Sequence, residues 1–192
     1  MHSSVKIILT GLIIVICIVV LLRVSGIYFS EQISPLIENK DSEEEYTNKF
    51  MVGEEIPYFS LLLLSGEKVN KTDLLGYPNV IMFWSTWNSS SVDQMKIVDD
   101  YFSSISPSKE SKLPRFIAIN SQESKPVVEN LMRRGNYNID VLLDINGEIS
   151  NAYGIRTLPT TFFINSEGVL VEKYIGTMNV EEFISKMENI IR

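Results

Sequence analysis

Asn88, Ser89, Ser90 and Ser91 follow a short apolar run, Val80-Ile81-Met82-Phe83-Trp84, and precede a stretch in which Val92, Met95, Ile97, Val98, Tyr101 and Phe102 recur at near-helical spacing. A strand feeding a helix N-terminus presents free backbone N–H groups and the positive end of a helix dipole, a favourable place for negative charge. Serine there is a candidate nucleophile or a helix cap. The nucleophile at Ser91 would need an adjacent base, and the chain's only histidine is His2, so Asp93 or Lys96 would have to serve. Cys17 is the only cysteine, which excludes an intramolecular disulfide and a dithiol reaction within this chain. With His2 and Cys17 both near the start, zinc, haem and Ser/His/Asp chemistry lose their usual ligands or bases, and no cofactor or metal is implied.

The elements that must hold this stretch read as follows. Ile56 to Leu61 and Glu67 to Asn70, split by Ser65-Gly66, form a hairpin, and Thr72 to Gly76 a short helical turn. Val80 to Trp84 is a buried strand, followed by a helix to about Ser104 and a polar loop from Ser106 to Leu113. Arg115 to Asn120 is a second buried strand. Lys125 to Arg134 is an amphipathic helix with Val127, Val128, Leu131 and Met132 inward, closed by Gly135. Ile139 to Asp144 is a third strand, Ile149 to Tyr153 a short helix ended by Gly154, and Leu158 to Ile164 a fourth strand. That strand turns at Asn165 to Gly168 into Val169 to Tyr174. A last helix, Val180 to Ile191, carries Phe183, Ile184, Met187, Ile190 and Ile191 on one face. Alternating strands and helices closed by a hairpin and a helix predict an α/β domain with a mixed sheet covered on both faces.

Composition bounds the rest. With 192 residues, 45% of them hydrophobic, the chain can form one cored domain plus an appendage. Between Glu31 and Glu55 eight acids face only Lys40 and Lys49, which accounts for most of the net charge of −7. No basic face for phosphates appears, and nucleic acid is not an expected partner. Ile7 to Leu22 is apolar over sixteen residues, or roughly 24 Å of helix against a ~30 Å hydrocarbon core. Arg23 can snorkel, and Val24, Ile27, Tyr28 and Phe29 extend the segment into the interface. The reading is an uncleaved signal anchor over 1–29, with a cleaved secretory signal at Val24-Ser25-Gly26 as the rival. Ile14-Val15-Ile16 lacks the small residues expected before a lipidated Cys17. Lys6 on one side and acids on the other place the C-terminal domain outside the cytoplasm, in a single-pass protein of the cell membrane. Residues 30–55 then form an acidic spacer, and the domain spans 56–192. Asn70-Lys71-Thr72 and Asn88-Ser89-Ser90 match the N-glycosylation pattern, a short and frequent one.

The segment FWSTWNSSS resembles the FW-x-x-W-C-x-x-C segment of membrane-tethered thiol-disulfide oxidoreductases, the TlpA/ResA branch of the thioredoxin-like proteins of AhpC/TSA type. By that resemblance Asn88 stands at the attacking cysteine and Ser91 at the resolving one. Ser90 replaces the proline between them, Gln94 stands near a glutamate, and Lys96 stands where a helix-kinking proline is common. The run VLLDINGEISNAYGIRTLPTTFFINSEGVLVEKYIG is similar to the family's second half, and implies that Pro159 is a cis-proline facing the site; a trans proline at a strand start is the alternative. The resemblance covers Ile56 to the C-terminus and implies a thioredoxin-like fold. Its groove would be lined by Trp84, Trp87, Asn88, Ser89, Ser90, Ser91, Leu158, Pro159 and Thr160. Two functions remain open. One is a redox-inactive module that holds an extended segment of an extracytoplasmic partner protein or peptide. The other is a thiol-disulfide oxidoreductase, for cytochrome c maturation or envelope disulfide reduction, that acts with partner thiols.

Overall fold

The computed structural model describes residues 50–105 and 113–191. The expected anchor, nearly all of the acidic spacer and most of the 106–113 loop lie outside the described residues. Among the described residues, no helix is long and apolar enough to cross a membrane.

Lys49–Arg192 forms one compact unit built on a single seven-stranded sheet. In chain order its elements are β1 (Ser60–Leu63), β2 (Lys68–Asn70), a 3₁₀ turn (Lys71–Leu74), β3 (Asn79–Trp84), α1 (Ser89–Ser103), β4 (Arg115–Ser121), α2 (Lys125–Gly135), β5 (Val141–Asp144), α3 (Glu148–Ala152), β6 (Thr160–Ile164), β7 (Leu170–Ile175) and α4 (Val180–Ile191). The spatial order is β2-β1-β5-β4-β3-β6-β7. Strands β3, β4 and β5 are parallel; β1 joins β5, and β6 joins β3, in antiparallel sense, so the sheet is mixed.

Period-two alternation assigns the two faces of the central strands. Ile81 and Phe83 of β3 pack with Ile119, Leu142, Phe162 and Tyr153 on one face, beneath α3 and the segment from Phe50 to Phe59. Val80, Met82 and Trp84 point to the other, where Met95 and Val98 of α1, Val128 and Met132 of α2, and Phe183 and Met187 of α4 cover them. Both faces are thus closed, and every residue of β3 is buried.

Five local expectations change. The hairpin strand begins at Ser60 rather than Ile56, because Ile56 is instead tied to the start of β7: its N–H donates to Gly168 O at 2.9 Å, next to a bridge between Glu55 and Val169. Phe50 is buried against the rings of Tyr153 and Phe162, so packed chain precedes Ile56. On α2, Val128 and Met132 are buried but Val127 is exposed, since the helix turns its narrow apolar stripe away from that position. The helix stop there is Asn136, in left-handed conformation at φ 52°, while Gly135 is still helical. On α4, Phe183, Met187 and Ile190 are buried and Ile191 is exposed.

Candidate functional site

The turn from Ser85 to Asn88 leaves the C-terminal end of β3 and enters α1, at the end of the sheet where β4 and β5 also finish. Asn88 is the N-cap, extended at φ −95° and ψ 108°. Its Oδ1 accepts from Ser91 N at 2.8 Å, while its main-chain carbonyl accepts from Val92 N at 3.2 Å. Its Nδ2 reaches across and donates to Leu158 O at 3.3 Å. One carboxamide therefore joins two segments 70 residues apart. The reversed amide would put NH₂ against an N–H and oxygen against a carbonyl, losing both bonds.

The opposing segment is fixed as firmly. The Leu158–Pro159 peptide is cis. Thr160 Oγ1 donates to Thr157 O at 2.7 Å, and Gly176 N donates to Pro159 O at 2.9 Å. The carbonyls of Thr157, Leu158 and Pro159 are thus all engaged within the protein. Thr160 pairs with Phe83 on one side and Ile175 on the other, which brings Pro159 beside the end of β3.

The expected groove residues divide by exposure. Ser89, Ser90 and Trp87 are exposed, Trp87 to 72%. Asn88 and Leu158 are half-buried. Trp84, Ser91, Pro159 and Thr160 are buried; Trp84 points inward among Met82, Met95 and Val128, so it supports the turn from beneath. Ile145 and Ile175, exposed at the ends of β5 and β7, add apolar surface at this end of the sheet.

Ser91 cannot be matched with a base. Its hydroxyl is fully buried without a protein partner, whereas Asp93 is exposed, two positions on and hence on another face of α1. Lys96 is exposed and bonded to Asp100 at 2.8 Å, a contact that raises its pKa and keeps it charged. Gln94, fully buried one turn beyond Ser91, accepts from Met178 N at 2.7 Å and so ties α1 to the start of α4.

Glu123 is a residue that the sequence did not flag. Its carboxylate accepts from Thr86 N at 2.7 Å, Thr86 Oγ1 at 2.5 Å and Asn120 Nδ2 at 2.8 Å. The available signal was positional: Asn120 lies opposite Trp84 in the β3–β4 ladder, so an acid just past it arrives at the turn. Around this turn, Trp84 Nε1, Ser85 Oγ, Ser91 Oγ, Gln94 Nε2, Asn120 Oδ1 and Thr161 Oγ1 are buried without protein hydrogen-bond partners, six of eight such side-chain atoms among the described residues. A cavity of about 670 Å³ lies elsewhere, among Leu63, Leu74, Phe102, Arg115 and Ile139. Among the described residues, no group of three His, Cys, Asp or Glu side chains could hold a metal.

The family model described as AhpC/TSA matches residues 52–173, which take in the turn, Glu123 and the Leu158–Pro159 segment. The chain belongs to the AhpC/TSA family. Within that family it is 33% identical over 140 residues to the thiol-disulfide oxidoreductase ResA of Bacillus subtilis, covering 73% of this chain and 75% of that one. It is 29% identical over 142 residues to the ResA of Bacillus cereus, covering 74% and 80%. Among solved structures it resembles StoA of Bacillus subtilis at 21% identity and a TM-score of 0.59, covering 68% of this chain and 96% of that one. It also resembles an exposed lipoprotein thioredoxin of Streptococcus pneumoniae at 23% identity and 0.60, covering 69% and 99%. The fold of this AhpC/TSA member is thioredoxin-like α/β, with a mixed seven-stranded sheet.

Proposed function

We propose that this AhpC/TSA-family domain binds an extended segment of a partner protein without covalent capture, in the groove between the α1 N-terminus and the Leu158–Pro159 segment. The observation that carries the reading is Asn88. A carboxamide stands at the head of α1, engaged with Ser91 N and Leu158 O, and no cysteine lies anywhere from residue 50 to the C-terminus. Disulfide exchange needs a thiolate to attack and a thiolate to leave, and neither an amide nor an unactivated hydroxyl provides one. What remains is a recognition surface: Trp87 and Ile175 exposed, Leu158 half-buried, and polar main chain between them. Such a surface suits an extended segment with apolar side chains, held by main-chain hydrogen bonds. The domain works outside the cytoplasm, anchored in the cell membrane through Ile7 to Leu22.

A second reading rests on the relatives, two of which are thiol-disulfide oxidoreductases at 29% and 33% identity. In it, the groove presents a substrate disulfide to the thiolate of a partner protein. That thiolate breaks the substrate S–S bond, forming a mixed disulfide and releasing one substrate thiolate. A second partner thiolate then attacks the partner's sulfur, leaving the partner oxidised to a disulfide and releasing the second substrate thiolate. Photo-crosslinking in intact cells, with the reactive group placed at Trp87 and at Leu158, tests the first reading. One discrete partner caught from both positions, and not from Lys125 or Glu182, is the expected result. Disulfide reduction by the full-length chain alone is expected at the uncatalysed background, and clear turnover would reject the binding reading. The double substitution Asn88→Cys/Ser91→Cys should gain reductase activity, because the strand-to-helix turn that would carry both sulfurs is in place.

A further inference from the structure

Resting on the groove reading, we propose that Asn88 is a latch that a partner must displace: its carboxamide closes the groove by holding Leu158 O against the head of α1. An extended partner lying along Thr157 to Pro159 needs main-chain acceptors to receive its N–H groups. All three carbonyls there are already engaged, by Thr160 Oγ1, Asn88 Nδ2 and Gly176 N. The three locks differ in cost. Thr160 is buried in β6, and Gly176 continues the β6–β7 pairing, so opening either disturbs the sheet. Asn88 is half-buried at a turn, and its 3.3 Å bond is the longest of the three. Rotation of this one side chain frees Leu158 O, and the helix retains Ser89 and Ser90 near its start as local oxygen donors and acceptors. A sulfur side chain at this position could not make the same bridge, because it lacks a donor and an acceptor on separate atoms.

Hydrogen exchange read by mass spectrometry, on the full-length chain in detergent micelles, tests the latch. Asn88→Asp keeps an oxygen for Ser91 N–H and suits a helix N-terminus, but puts oxygen in place of the donor to Leu158 O. Exchange at the amide of Gly176, whose N–H donates to Pro159 O on the latched segment, should accelerate roughly five- to tenfold, the loss of about one hydrogen bond, with α1 still protected. Equal exchange in the two proteins overturns the latch. Should the variant fail to fold, the native chain gives a second readout by NMR. The Asn88 side-chain amide should exchange several-fold more slowly than that of exposed Asn151, and equal rates would overturn the proposal. A photo-crosslinker at Trp87 separates this idea from the reading beneath it. More capture in Asn88→Asp than in the native chain supports both, whereas a loosened loop with no capture from either protein upholds the latch and rejects the groove.

Discussion

The Glu123 carboxylate takes three hydrogen bonds from Thr86 and Asn120, so removing it strands donors at the turn that leads to Asn88. Glu123→Ala should lower stability by about 1–3 kcal/mol, the cost of donors left unpaired, measured as a shift in the urea midpoint. The buried Ser91 hydroxyl has no protein partner to lose. Ser91→Ala should therefore be neutral or mildly stabilising, by up to about 1 kcal/mol in thermal unfolding. A large loss would mean that the hydroxyl is engaged. These two residues also bracket what sequence could show about the site. Asn88, Ser91 and Pro159 were singled out by the resemblance that their flanking motifs carry, and the strand-to-helix turn around Asn88 could also be read from the apolar run and the serines. Glu123 was not, because its role depends on the β3–β4 register, which adjacency along the chain does not reveal. The inward direction of Trp84 was legible in principle, since it shares the face of Met82 by alternation.

At the scale of elements, the order of strands and helices was readable from apolar runs and breakers, while their ends were settled by contacts. The end of α2 shows why. Gly135 looked like a stop, yet a Cβ built on it would lie 2.1 Å from the Tyr137 ring, which folds back over the helix end. The glycine is needed for that close approach, and the left-handed turn falls to Asn136. Gly135→Ala should therefore destabilise the domain by about 1–2 kcal/mol, although alanine is the better helix former. Asn136→Gly should stabilise it by a few tenths of a kcal/mol, because glycine adopts positive φ without strain. Thermal unfolding of both variants checks the pair. The start of the domain escaped for a different reason: Phe50 follows an acidic run, and only its ring contacts with Tyr153 and Phe162 mark it as core.

For the molecule as a whole, the buried Tyr153 connects the core to alkaline stability. Its hydroxyl donates to Pro57 O at 2.9 Å, and burial raises its pKa well above the ordinary value of 10.0. A phenol whose pKa is raised on folding contributes stability that is fully present below the unfolded pKa of about 10. That contribution is lost as pH rises beyond it, because the folded state resists ionisation that the unfolded chain permits. Stability should thus fall steeply above about pH 10. In Tyr153→Phe the fall should be shallower, and stability at neutral pH lower by about 0.5–1.5 kcal/mol. Tyr101 and Tyr137, both raised chiefly by burial, should keep part of the alkaline loss. Denaturant titrations from pH 7 to 11 measure both quantities. The strand order has a consequence for assembly in time. The β1–β2 hairpin is made first, yet its only other neighbour is β5, with Leu62 opposite Leu143. A chain emerging from its amino end cannot dock that hairpin until Val141–Asp144 has appeared. The β1–β2 edge has no template until β5 is in place beside β4, so its docking depends on contacts distant in sequence and is correspondingly slow.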